Sequence, residues 1–163
     1  MVRSSKAGLA VQVIVLAGCM VGLGGCASKA FVRTDGPVAE RGVSISLVSQ
    51  SCDREIDPNW SSADILGLDL RVRVSNGGES IVAFDPGKTA LVADGRSSPP
   101  RRGDAAAVVA PGNSQTFVIH FLERDGTLAC NVPLTLAFKG AVAIGEAPVT
   151  FKAISFLPSN DDL

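Results

Sequence analysis

The stretch LGLDLRVRVSNGG, residues 66–78, alternates apolar and polar side chains with a period of two. Its apolar positions are Leu66, Leu68, Leu70, Val72 and Val74, and the charged positions between them are Asp69, Arg71 and Arg73. Because successive side chains of a strand point to opposite faces, this spacing predicts a half-buried β-strand with a charged outer face. The Asn-Gly-Gly sequence that ends the stretch is typical of a tight turn.

The same period of two recurs in four other segments. They are VSISLVSQ (43–50), TFVIHFL (116–122), PLTLAFKG (133–140) and PVTFKAISF (148–156), the last with Val149, Phe151 and Ala153 on one face. Turn sequences such as DPGK, ADGRSSPP and APGN separate them. We therefore predict an all-β fold, an antiparallel Greek-key sandwich of about seven or eight strands. A small eight-stranded barrel is the alternative.

The N-terminal residues have the composition of a secretory signal. Arg3 and Lys6 precede an apolar run that extends to Gly25. Two sites within this region, LAGC ending at Cys19 and LGGC ending at Cys26, resemble the lipobox of bacterial lipoproteins. In that family the cysteine thiol is lipidated and the signal is cut just before it. The resemblance implies a membrane anchor made of lipid.

Cys26 is the favoured attachment site, and Cys19 is the alternative. The polar sequence ASKA follows Cys26. Cleavage before Cys26 leaves Cys52 and Cys130 as the two unlipidated cysteines, an even number that can pair in an oxidising compartment. We therefore predict a disulfide between Cys52 and Cys130. In a Gram-negative cell, Ala27 after the lipidated cysteine would imply the outer membrane, facing the periplasm.

The domain organisation follows from these signals and from the change of composition near Val43. We predict a signal peptide over residues 1–25, a lipidated flexible linker over 26–42, a single sandwich domain over 43–158 and an acidic tail over 159–163.

A second resemblance covers residues 66–140. The order LRVRVSNGGESIVAFDPGKTALVADG followed by VVAPGNSQTFVIHFL resembles the immunoglobulin-like extracytoplasmic domains of bacterial lipoproteins, including the DUF4352-like group. The chain departs from immunoglobulin domains in having no Tyr and in placing Trp60 in a predicted loop. The resemblance implies a sandwich and names no ligand.

Few residues point to chemistry. His120 is the only histidine, and we expect it on the face opposite Phe117, Ile119 and Phe121, as a surface or inter-strand residue. We predict no catalytic residue, metal or cofactor. Removal of Arg3 and Lys6 leaves 13 basic and 16 acidic residues, so nucleic acid is not an expected partner. The tripeptide Arg102-Gly103-Asp104 matches an adhesion motif, but three letters recur by chance.

The sequence thus favours a non-enzymatic, lipid-anchored module that binds a partner or serves as a structural accessory at the cell envelope. The expected contact residues are Trp60, Arg96, Arg101 and Arg102. The alternative from another class is a periplasmic hydrolase or metal-handling protein whose site combines scattered carboxylates with His120.

Overall fold

The computed structural model describes residues 33–56, 64–123 and 132–158. Nearly all of their regular structure is β-strand, and the exception is a short 3-10 turn, Pro86–Lys88. The strands are β1 (Arg33–Thr34), β2 (Val38–Glu40), β3 (Val43–Ile56), β4 (Asp64–Asn76), β5 (Val82–Phe84), β6 (Ala90–Ala93), β7 (Arg96–Ser98), β8 (Arg102–Gly103), β9 (Ala107–Val109), β10 (Ser114–Glu123), β11 (Leu134–Ala137), β12 (Val142–Ile144), β13 (Ala147–Val149) and β14 (Ile154–Leu157).

The strands form three antiparallel sheets. Sheet A has the order β1-β14-β11-β6-β7, sheet B has β2-β3-β4-β10-β8, and sheet C has β13-β12-β5-β9. Neighbours such as β4 and β10 are distant in the sequence, so the chain crosses between sheets instead of running as a simple meander. The predicted all-β, antiparallel sandwich class is confirmed.

One hydrophobic core joins the three sheets. It contains inward residues of sheet B such as Leu70 and Ile119, of sheet A such as Leu136, and of sheet C such as Val142. Between sheets C and B, the rings of Phe84 and Phe117 pack with centroids 4.8 Å apart in a tilted arrangement. Such aromatic pairs add to the stabilisation gained from apolar burial.

Strand β4 lies at the centre of sheet B, between the long strands β3 and β10. Its inward side chains, Leu68, Leu70, Val72 and Val74, are completely buried, whereas Asp69, Arg71 and Arg73 are exposed on the outer face. The predicted alternation is therefore confirmed from Leu68 to Val74; the side chain of Leu66, the first apolar position of the prediction, lies outside the described part of the chain. A bulge in β3 between Leu47 and Ser49 shifts the pairing by one position, and the predicted alternation of β3 ends there.

Asn76, the last residue of β4, is a buried polar side chain that connects three segments. Its Nδ2 donates to the carbonyls of Ser80 (2.8 Å) and Val109 (2.9 Å), and its Oδ1 accepts from the N–H of Gly78 (3.0 Å). The Val109 bond reaches β9 of sheet C. Asn76 therefore ties the end of the central strand to its own turn and to a neighbouring sheet.

Residues 33–40 differ from the predicted linker. β1 pairs with β14 in sheet A, and β2 pairs with β3 in sheet B. The β2–β3 turn is Arg41–Gly42, with φ values of 48° and 78°, the positive values that favour such two-residue hairpins. These edge strands are held by backbone hydrogen bonds and bury few side chains, so they leave no apolar period in the sequence.

The segment 148–156 is also not the single strand predicted. β13 ends at Val149 in sheet C, and β14 begins at Ile154 in sheet A. Buried positions are Val149 and Phe151 before the break but Ile154 and Phe156 after it, so the parity changes. Ala153, predicted to share a face with Phe151, is only half-buried because the chain changes sheets at this point.

The strand segments outnumber the predicted seven or eight. Most of the additional ones have two to four residues, including β5, β7, β8, β9 and β12. A period of two cannot be recognised over so few residues, so these strands are visible only through their pairing partners.

Replacement of Asn76 with Ala should lower the free energy of unfolding by about 3 kcal/mol. The change removes three hydrogen bonds and leaves buried backbone groups without a partner. Urea denaturation followed by circular dichroism measures the difference. Asn113→Ala is the matched control, since that side chain is exposed and has no hydrogen bond among the described residues; its effect should stay within about 0.5 kcal/mol. Equal effects of the two substitutions would contradict the role assigned to Asn76.

Candidate functional site

The segment from β6 to β9 contributes one edge strand to each of the three sheets. β6 and β7 form a hairpin at the edge of sheet A, with Asp94 and Gly95 in its turn. The chain then passes Pro99 and Pro100 and reaches the edge of sheet B as β8. Finally β9 joins the edge of sheet C. Residues 99–104, which include the Arg-Gly-Asp tripeptide, therefore connect the edge of sheet A to the edge of sheet B. We call them the crossing loop.

The tripeptide Arg102-Gly103-Asp104 docks on the free edge of β10. The N–H of Arg101 donates to the carbonyl of His120 (2.8 Å), and the N–H of Asp104 donates to the carbonyl of Val118 (2.9 Å). The Asp104 carboxylate then accepts a hydrogen bond from the N–H of Val118 (2.7 Å), in the place of a backbone carbonyl. Since this carboxylate is already used within the fold, the adhesion interpretation of the tripeptide is not supported.

Gly103 allows this close approach. A Cβ atom at this position would lie 3.0 Å from the carbonyl oxygen of Val118 and 3.6 Å from the Cβ of Pro86. The first contact is with backbone, which cannot move aside as a flexible side chain does. Gly103 and Asp104 therefore have a structural explanation, whereas the side chain of Arg102 is exposed.

His120 occupies the outer face of β10 and is nevertheless 6% exposed. It lies directly opposite Asp69 of β4 in the register of sheet B, and opposite Arg102 of β8 on its other side. The imidazole Nδ1 lies 2.5 Å from Oδ1 of Asp69, whose side chain is half exposed. The carboxylate can only accept, so Nδ1 carries the proton and the ring orientation is fixed. The expected inter-strand placement of His120 is observed, with Asp69 as its partner.

A shallow cleft of about 220 Å³ opens beside this pair. Its lining consists of Asp69, Arg102, Gly103, Asp104, Val118 and His120. The lining offers a guanidinium, an imidazole and two carboxylates, each of the latter already engaged by a donor. This composition suits hydrogen bonding to a polar group of a partner. An aligned His and carboxylate also occur in hydrolytic sites, where the His acts as general base.

Within the described ranges, no group of three or more His, Cys, Asp or Glu side chains is placed to hold a metal ion. His120 and Asp69 provide two potential ligands, and a stable site would require more. Among the described residues, the cleft offers hydrogen-bonding groups and, at His120, a group that can transfer a proton.

The predicted contact arginines lie on different sheets. Arg96 is exposed in β7 at the edge of sheet A, whereas Arg101 and Arg102 are exposed at the edge of sheet B. The loop between them contains Pro99 and Pro100. Of these arginines, Arg102 is the one that lines the cleft.

Of the four cysteines and Trp60, the structure describes only Cys52. Cys52 lies in β3, is buried among the core residues and is disulfide-bonded. Trp60, Cys19, Cys26 and Cys130 lie outside the described residues. The pairing of Cys52 with Cys130 stays a prediction, as does the choice between Cys26 and Cys19.

The sequence did not indicate the pairing of Asp69 with His120. Each residue lies on the polar side of a predicted strand, but their separation of 51 positions gives no local signal. Knowledge that β4 and β10 are neighbours, together with their register, would have found it. The docking role of Gly103 and Asp104 was hidden for the same reason.

No model of a known protein family and no curated protein matches the chain. Among solved structures, it is similar to the crystal structure of a Bacillus subtilis protein described provisionally as a lipoprotein, with a TM-score of 0.49 and 14% sequence identity. The similarity covers 61% of this chain and 32% of that chain, so the chain spans about a third of the length of that protein. At this level the match supports no conclusion about fold, anchoring or function.

In the part of the chain that the structure describes, none of the elements is a helix long and apolar enough to cross a membrane.

Replacement of Asp104 with Ala should expose the N–H of Val118 to exchange with solvent. The loss of one acceptor is worth about 1 kcal/mol, which corresponds to roughly fivefold faster amide exchange. Hydrogen exchange measured by NMR at the Val118 amide tests this. Asp104→Asn keeps an oxygen at the same position and should preserve most of the protection. Unchanged Val118 exchange in the Ala variant would refute the docking role of the carboxylate.

Proposed function

We propose that the chain is an extracytoplasmic, lipid-anchored module that binds a partner at the cell envelope and catalyses no reaction itself. The observation that supports it most is the arrangement of the N-terminal region: a charged start, an apolar run and a lipobox-like LGGC at Cys26, followed closely by a folded sandwich. In a Gram-negative cell, Ala27 favours the outer membrane as the location.

The distance between anchor and domain is short. β1 begins at Arg33, seven residues after Cys26. A fully extended chain spans at most about 3.6 Å per residue, so the first strand lies within about 25 Å of the lipidated cysteine. Two or three acyl chains hold such a protein stably without a spanning helix. Any partner must therefore be reached close to the membrane surface.

The crossing loop offers the best protein-binding surface. Arg101 and Arg102 are exposed there, Arg96 is exposed in β7 just before it, and the docking of Asp104 fixes the loop against sheet B. A loop held in this way loses little conformational entropy when it binds. Arginine is also enriched at protein interfaces. We expect the partner to contact this loop and the neighbouring cleft.

A second candidate, a hydrolase with His120 as general base, has one observation in its favour: the contact of His120 with Asp69 beside a polar cleft. Direct register pairing of the two residues is a sufficient structural reason for the contact. The candidate requires a hydrolytic activity of the purified protein that His120→Ala abolishes while the protein stays folded.

Crosslinking in intact cells, followed by mass spectrometry, tests the binding role. We expect one dominant crosslinked protein, captured at least fivefold less by the double variant Arg101→Ala and Arg102→Ala. Lys152→Ala is the control, because Lys152 is an exposed cation between β13 and β14 that takes no part in the loop. Capture of abundant envelope proteins only, at levels that the loop variant does not change, would contradict a specific partner and favour a spacer.

A further inference from the structure

Two guanidinium groups lie side by side on the outer face of sheet B. Arg71 and Arg73 belong to its central strand, point away from the core and are exposed. Within the described part of the chain, neither has a hydrogen bond or a carboxylate within 4.0 Å. Both guanidinium groups are therefore available for an external anion.

Short side chains surround both arginines. Arg71 lies between Ser49 of β3 and Val118 of β10 in one cross-strand row, and Arg73 lies between Ser46 and Thr116 in the next. All of these neighbours are shorter than an arginine side chain. The guanidinium groups can therefore reach a flat external surface without obstruction from the same face.

The charges on this face favour an anionic partner. Arg102 of β8 adds a third guanidinium in the row that contains Asp69 and His120. Asp53 and Glu55 of β3 have the same strand parity as Ser51, which lies opposite Asp69, and they follow it toward the end of sheet B away from Arg73. The acidic residues closer to the arginines are Asp69 and Asp104, whose carboxylates are hydrogen-bonded to His120 and to the N–H of Val118. We name the exposed set Arg71, Arg73 and Arg102 the arginine face.

We propose that the arginine face rests on the anionic headgroup surface of the bilayer that holds the lipid anchor. The proposal depends on lipid attachment at Cys26. The tether reaches β1 at the edge of sheet A first, and β2, the edge strand of sheet B, begins at Val38, twelve residues after Cys26. At no more than about 3.6 Å per residue, the start of β2 stays within about 43 Å of the lipidated cysteine. Among anionic partners, the membrane is favoured because it is the one surface that the tether always keeps within reach. Since two or three acyl chains already hold the protein at the membrane, the arginine face would orient the domain rather than attach it.

The expected strength is modest and measurable. A single arginine near an anionic surface strengthens binding about fivefold, so Arg71 and Arg73 together would contribute roughly 25-fold. The tether raises the local concentration of headgroups and makes even this contribution sufficient to orient the domain. Salt should weaken the contact, because exposed charges are screened within about 10 Å at 0.1 M.

Chemical modification of arginine tests the orientation in the full-length, lipidated protein. The protein is reconstituted into vesicles of either zwitterionic or 30% anionic phospholipid, treated with phenylglyoxal, and analysed by peptide mass spectrometry. We expect Arg71 and Arg73 to react at least fivefold more slowly in the anionic vesicles, and 0.5 M salt to remove the difference. Arg96, exposed at the edge of sheet A, is the internal control and should react equally in both.

A double variant sharpens the test. With Arg71→Gln and Arg73→Gln, the protection of Arg102 by anionic vesicles should disappear, whereas Arg96→Gln should leave the protection of Arg71 and Arg73 intact. Equal reactivity of Arg71 in both kinds of vesicle would overturn the proposal. Protection in intact cells without protection in anionic vesicles would also overturn it, because a protein or a glycan would then cover the face.

The same preparation separates this proposal from the anchor proposal on which it rests. Flotation of the vesicles shows whether the protein is anchored at all. A protein that does not float refutes lipid anchoring, whereas a floating protein with equally reactive arginines refutes only the arginine face.

Discussion

The register of β4 within sheet B is the constraint on which the rest of the structure depends. Since side chains alternate with a period of two, a slip of one residue would move the buried leucines and valines to solvent and both arginines into the core. Asn76 opposes such a slip because its three hydrogen bonds join the end of β4 to fixed points in the next turn and in sheet C. The core and the outer charged face are thus two consequences of one alternation.

The same register explains the cleft. Asp69 and His120 meet because they are directly opposite each other, and Arg102 joins them because β8 continues the row beyond β10. β8 can dock because Gly103 leaves room for the carbonyl of Val118 and because the Asp104 carboxylate takes the place of a backbone acceptor. A loop that is irregular in sequence becomes a fixed edge, so the backbone that carries Arg101 and Arg102 is held in place.

Much of the fold could be predicted from the sequence where alternation extends over five or more residues. β4, β10, β11 and the first half of β3 were found in this way. The short strands and β1 and β2 could not, because backbone pairing holds them and leaves no pattern of apolar residues. The segment 148–156 misled for a different reason: Val149 and Phe151 suggested one continuous period, and the change of sheet before Ile154 reverses its parity. Of the site, single residues such as His120 and Arg102 were visible, but their proximity depends on pairing across 51 and 18 positions.

The most direct test of a lipid-anchored sandwich is the intact mass of the protein extracted from membranes, measured with and without reduction and thiol alkylation. We predict a chain that begins at Cys26, carries two or three acyl chains there, and shows no alkylation before reduction and two alkylated cysteines, Cys52 and Cys130, after it. A chain that still begins at Met1, or one from Cys26 with no acyl addition, would contradict the anchor. A start at Cys19 would move the anchor to that cysteine and leave Cys26 as an additional thiol.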